Sequence, residues 1–91
     1  MCTYTTEHAP ITGSAKGKDG WFALSEATVY YDHPVHAQAG HTLNIDFANP
    51  GAAPGARVAV ELTAESAREL MAAIERALGS VPAELLAAET R

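Results

Sequence analysis

The sequence predicts an α+β fold, a four-stranded antiparallel sheet covered on one face by a C-terminal amphipathic helix. Two stretches, residues 26–33 and 41–47, alternate apolar and polar side chains with the period of two that a half-buried strand requires. A third, residues 67–78, carries apolar side chains at three- and four-residue spacing, the stripe of a helix with one dry face. With 91 residues the chain supports one modest core, so a single domain over residues 1–91 is expected.

Taken in order, residues 2–9 are rich in Thr and Tyr and read as the first strand. Gly13 to Gly20 has the Gly, Ser and Asp content of a connecting loop, after which Trp21 and Phe22 are expected to return apolar area to the core. The second strand, residues 26–33, sets Ala27, Val29, Tyr31 and His33 against Thr28, Tyr30 and Asp32. The third, residues 41–48, sets Leu43, Ile45 and Phe47 against Thr42, Asn44 and Asp46. Asn49-Pro-Gly-Ala-Ala-Pro-Gly55 is a turn segment, and residues 57–63 form the fourth strand with Val58, Val60 and Leu62 on one face. Thr63 is a natural N-cap for a helix over residues 64–78, because its hydroxyl can accept from one of the first unpaired helical N–H groups. Ala67, Leu70, Met71, Ile74 and Leu78 make the stripe, Gly79 is the expected stop, and Pro82 opens a short terminal helix over residues 82–89.

Composition excludes several functions. The chain carries six Lys and Arg against eleven Asp and Glu, a formal net charge of −5, which repels phosphate backbones and anionic lipid surfaces. No nucleic-acid partner and no membrane partner is expected, and no apolar run approaches the ~20 residues needed to span a bilayer. The single cysteine, Cys2, cannot build a disulfide framework and fits a reducing, cytoplasmic setting.

Three of the four histidines, His33, His36 and His41, fall within nine residues. Imidazole is the commonest metal ligand and the side chain that titrates nearest neutrality, so function is sought first there. If the second and third strands pair as a hairpin, the register that keeps both apolar faces together sets Tyr31 opposite Leu43, Val29 opposite Ile45 and Ala27 opposite Phe47. His33 then faces His41 on the helix side of the sheet, with Cβ atoms ~4.5–5.5 Å apart, near enough to share one ion. His36 in the loop between them, and His8 and Cys2 from the first strand, are the further candidate ligands. A mixed imidazole and thiolate set suits zinc, nickel or copper. No C-x-x-C or H-E-x-x-H spacing accompanies the cluster. Without an ion, His36 reads as an exposed loop residue and Cys2 as a small hydrophobe.

Two other functional classes stand beside metal binding. The polar sheet face, with Tyr30 opposite Asn44 and Asp32 nearby, can hold a small polar ligand or meet a second copy of the chain, and a small sheet with exposed edges is expected to be homodimeric. Cys2 with His8 as base is a third possibility, a thiol nucleophile.

The opening Met-Cys-Thr-Tyr-Thr-Thr-Glu-His, Gly20-Trp21-Phe22, Glu26-Ala-Thr-Val-Tyr-Tyr-Asp-His-Pro34 and His41-Thr-Leu-Asn-Ile-Asp-Phe47 together resemble a family of short actinobacterial proteins of unknown function. The resemblance spans nearly the whole chain and implies no activity.

Overall fold

The apolar alternation of the second, third and fourth strands dictates one register, and the chain adopts it. A computed structural model describes residues 4–33 and 40–89. Strands β1 (Thr6–Gly17), β2 (Gly20–Asp32), β3 (Thr42–Ala48) and β4 (Arg57–Leu62) form an antiparallel sheet in the order β1-β2-β3-β4, followed by helices α1 (Ala64–Gly79) and α2 (Ala83–Glu89). Ala27 pairs with Phe47, Val29 with Ile45 and Tyr31 with Leu43, as the hairpin register requires. Strand β4 continues the pattern through Leu62 opposite Leu43, Val60 opposite Ile45 and Val58 opposite Phe47. A one-residue slip would turn all of these side chains to the other face, which is why this register prevails.

The first hairpin departs from the sequence reading. The first strand runs Thr6–Gly17 rather than over residues 2–9, β2 starts at Gly20 rather than at residue 26, and Gly13 to Gly20 is no open loop. Gly17 pairs with Gly20 across a two-residue turn, Lys18-Asp19, whose residues keep negative φ, so the left-handed step falls on Gly20 just after them, at a φ of +112° that other residues resist. Glycine and serine composition suggested a loop, but β1 is an edge strand where weak intrinsic propensity is tolerated because β2 supplies the ladder. Pro10, which has no N–H to donate, is tolerated on the same edge. Between Pro10 and Gly13 the register shifts, so that Ile11 and Thr12 together oppose Ser25 in a β-bulge. Strand β3 meets β2 only from Glu26 onward, so the outer half of the hairpin projects beyond the body of the sheet. Trp21, on that arm, does not return to a core: it is 72% exposed. Phe22 instead closes over Gly17, where an added Cβ would meet its ring at 3.1 Å.

The β3–β4 connection is tied down by Asn49, whose side chain accepts from the Gly51 N–H at 3.1 Å and donates to the Ala23 carbonyl at 3.0 Å. Helix α1 begins as the sequence predicts, with the Thr63 hydroxyl accepting from the Ser66 N–H at 3.1 Å. It ends differently. Gly79 is the last helical residue, and Ser80 caps the helix by donating its hydroxyl to the Ala77 carbonyl at 2.8 Å. The Pro82 carbonyl then accepts the N–H groups of Leu85 and Leu86 and opens α2. Neither helix is long and apolar enough to cross a membrane.

Helix α1 lies over the apolar face without being absorbed into it. None of its residues is buried, and Leu70 and Ile74, expected to be sealed between helix and sheet, are 45% and 51% exposed. Among the described residues the buried apolar side chains are only Ala27 and Ala56, beside the buried polar Thr42 and Asn44. The stripe is present, and among the described residues it stays half-exposed.

Candidate functional site

Asp32 and Thr42 are the last paired residues of the β2–β3 ladder, and His33 and His41 stand one step beyond them. The two rings stack with centroids 4.5 Å apart and planes 27° apart. The sequence placed these imidazoles together, and the geometry brings them together. Hydrogen bonds to described residues help fix His33. Its main-chain N–H donates to Asp32 Oδ1 at 2.7 Å, and its ring Nδ1 lies 2.8 Å from the Gly40 carbonyl oxygen. A carbonyl can only accept, so the proton of a neutral His33 ring sits on Nδ1 and the lone pair on Nε2. This is the arrangement by which a main-chain carbonyl orients a metal-binding imidazole.

His41 is half-buried because aromatic rings flank it. Tyr31, its diagonal neighbour across the ladder, stacks on it at 5.6 Å with planes 14° apart. Tyr4, itself 75% exposed, approaches both with tilted planes, 6.0 Å from Tyr31 and 6.3 Å from His41. The result is a row of four rings at one end of the sheet. Parity sets Tyr31 on the face of His33 and groups Tyr4 with Cys2 and His8 on the first strand; the stack of Tyr31 on His41 and the approach of Tyr4 to both are what the structure adds.

The other candidate ligands do not join the pair. His8 lies opposite Thr28, with Nδ1 3.3 Å from the Thr28 hydroxyl, on the sheet face opposite to His33 and five residues back along β2. Cys2 and His36 fall outside the described residues. Among the described residues no group of three or more His, Cys, Asp or Glu side chains is placed to hold a metal ion.

The polar face keeps the expected register, with Tyr30 opposite Asn44, but its hydrogen-bonding capacity is largely turned inward. Thr42, fully buried, donates to Asn44 Oδ1 at 2.6 Å, and Asn44 is itself only 4% exposed. Asp46 pairs with Arg57 at 2.7 Å, and Asp32 accepts from the His33 main chain. Of the three residues expected to greet a ligand, Asn44 is a structural group.

A feature the sequence did not reveal lies on the other side. Between α1 and the sheet runs an apolar groove of about 620 Å³, walled by Val29, Leu43 and Ile45 below and Leu70, Met71 and Ile74 above. Tyr31 belongs to both places, lining the groove and stacking on His41.

No curated protein and no solved structure matches the chain. Residues 1–87 match the model of a family of unknown function, DUF6295, and the protein is a member of that family.

Proposed function

We propose that the protein is a small metal-binding protein that takes a divalent transition-metal ion on His33 and His41, acting in the cytoplasm where Cys2 stays a thiol. The observation that carries this is the pairing of the two rings at 4.5 Å. Two nitrogens bound to one ion at about 2.0–2.1 Å each stand roughly 3.4 Å apart, a spacing within reach of neighbouring ring edges at that separation. Lone pairs lie in the ring plane, so an ion would be held at the common edge of the pair, and the rings would turn out of their 27° stack for both lone pairs to converge on it. The carbonyl-held tautomer of His33 supplies the second supporting feature, since it presents Nε2 as the ligating nitrogen. With two protein ligands the ion retains water in its other positions and stays exchangeable. Imidazole donors select copper, nickel and zinc over magnesium or calcium, and copper is expected to bind tightest.

The test is calorimetric titration of the tag-free protein with copper, nickel and zinc, for wild type and for His33→Ala with His41→Ala. Wild type is expected to bind one ion per chain, the double variant to lose that binding while keeping its circular dichroism. Equal affinity in the two proteins refutes the reading.

A further inference from the structure

We infer that the apolar groove between α1 and the sheet is half of a homodimer interface, and that its occupant is helix α1 of a second copy of this chain. The inference is independent of metal binding and rests on how much surface one chain leaves uncovered. A compact monomer of 9.5 kDa exposes about 5,000 Å². This chain exposes 6914 Å², an excess of about 1,900 Å². Its radius of gyration is 15.0 Å, against about 12 Å for a compact domain of this length. Each partner of a standard interface buries about 800 Å², and each subunit of an obligate homodimer roughly 1,000–2,500 Å². The excess is shared between the projecting arm of the first hairpin and the helix side, and it is more than twice what each partner of a standard interface buries.

The uncovered surface is also of the right kind. Met71 is 65% exposed, Ile74 51% and Leu78 48%, and they follow one another along a helix of 16 residues, about 24 Å long. Leu78 lies beyond the lining of the groove, so the apolar strip outruns the cavity. A small apolar ligand filling about 620 Å³ would cover the groove and leave that end of the strip wet. A helix laid lengthwise covers both. Among the described residues lining the groove, Arg68 alone is charged, matching the depletion of charge at the centre of stable interfaces. Groove and strip occur on the same chain, which is the self-complementarity that a two-fold, isologous interface demands. The polar face, by contrast, has bonded its groups to one another, which moves the expected dimer contact from that face to the helix side. Each copy carries a net charge of −5, so association is expected to strengthen as salt screens the repulsion.

Sedimentation velocity of the full chain at micromolar concentrations should give twice the 9.5 kDa chain mass, with the dimer fraction rising with salt. Met71→Glu and Leu78→Glu alter side chains that one chain leaves 65% and 48% exposed, so both should fold and sediment as monomers. A wild-type monomer at every concentration overturns the proposal and leaves the groove to a small ligand or a different protein. A dimer that survives both glutamates overturns this face as its interface. Should either variant fail to fold, wild-type oxidation decides: Met71 buried by a partner forms sulfoxide several-fold more slowly than in the urea-unfolded chain. A Met71 rate close to the unfolded one refutes the interface.

Discussion

Removing the Thr42 hydroxyl separates a structural Asn44 from a ligand-binding one. Thr42 is fully buried and donates to Asn44 Oδ1 at 2.6 Å, inside a region where water cannot replace the lost donor. Thr42→Val keeps the side-chain shape and leaves the amide oxygen without that bond. A buried acceptor left unsatisfied costs about 1–3 kcal/mol, and the methyl that replaces the hydroxyl returns up to about 0.8 kcal/mol. The expected net loss is therefore ~1–2 kcal/mol, or about 4–8 °C in Tm for each kcal/mol in a domain of this size. Adding Asn44→Leu removes both polar partners together, so the double variant should be more stable than the sum of the single changes implies, with a coupling of ~1 kcal/mol. Urea melts followed by circular dichroism at one protein concentration measure both quantities. Fluorescence is the poorer probe, since Trp21 is already 72% exposed in the native state. If Thr42→Val lies within ~0.5 kcal/mol of wild type, the usual scatter of surface substitutions, the pair is not a buried bond and Asn44 is available to a ligand after all.

Thr63→Ala deletes the hydroxyl that accepts from Ser66, and thermal melts should register a loss of about 1 kcal/mol, with Thr63→Ser restoring most of it. Gly20→Ala forces a Cβ into the left-handed region at φ +112° although nothing lies within 4 Å of it. Its cost, ~1–3 kcal/mol in urea melts, therefore comes from backbone strain alone, and Gly20→Asn should be milder than Gly20→Val.

The sheet was legible wherever burial enforced alternation. Residues 27–33, 43–47 and 58–62 each present apolar side chains to one face, and such a face admits one register; the pairing of His33 with His41 followed from it. The cap at Thr63 was legible because an N-cap is decided within four residues. The outer half of the first hairpin was obscured by Gly13, Ser14 and Gly17, although Asp19-Gly20 is a tight-turn signal. The exposure of Leu70 and Ile74 had no signal at all. Periodicity states which face of a helix is apolar, and burial depends on what packs against it.

The position of His8 turns on a single residue. Counted back from the turn, where Gly17 meets Gly20 and Gly13 meets Leu24, an unbroken ladder would set His8 opposite Val29, on the face that carries His33 and His41. The bulge places Ile11 and Thr12 against Ser25, consumes one extra residue of β1, and sets His8 opposite Thr28 instead. Every side chain of β1 before the bulge thereby changes face. Glu7 comes to stand opposite Val29, at the edge of the apolar side, and His8 meets a hydroxyl on the polar one. Tyr4 precedes β1, so its place beside Tyr31 and His41 is not set by that ladder, and among the described residues these two tyrosines are the rings that border the histidine pair. A site so bordered has one aromatic wall continuous, through Tyr31, with the groove under α1.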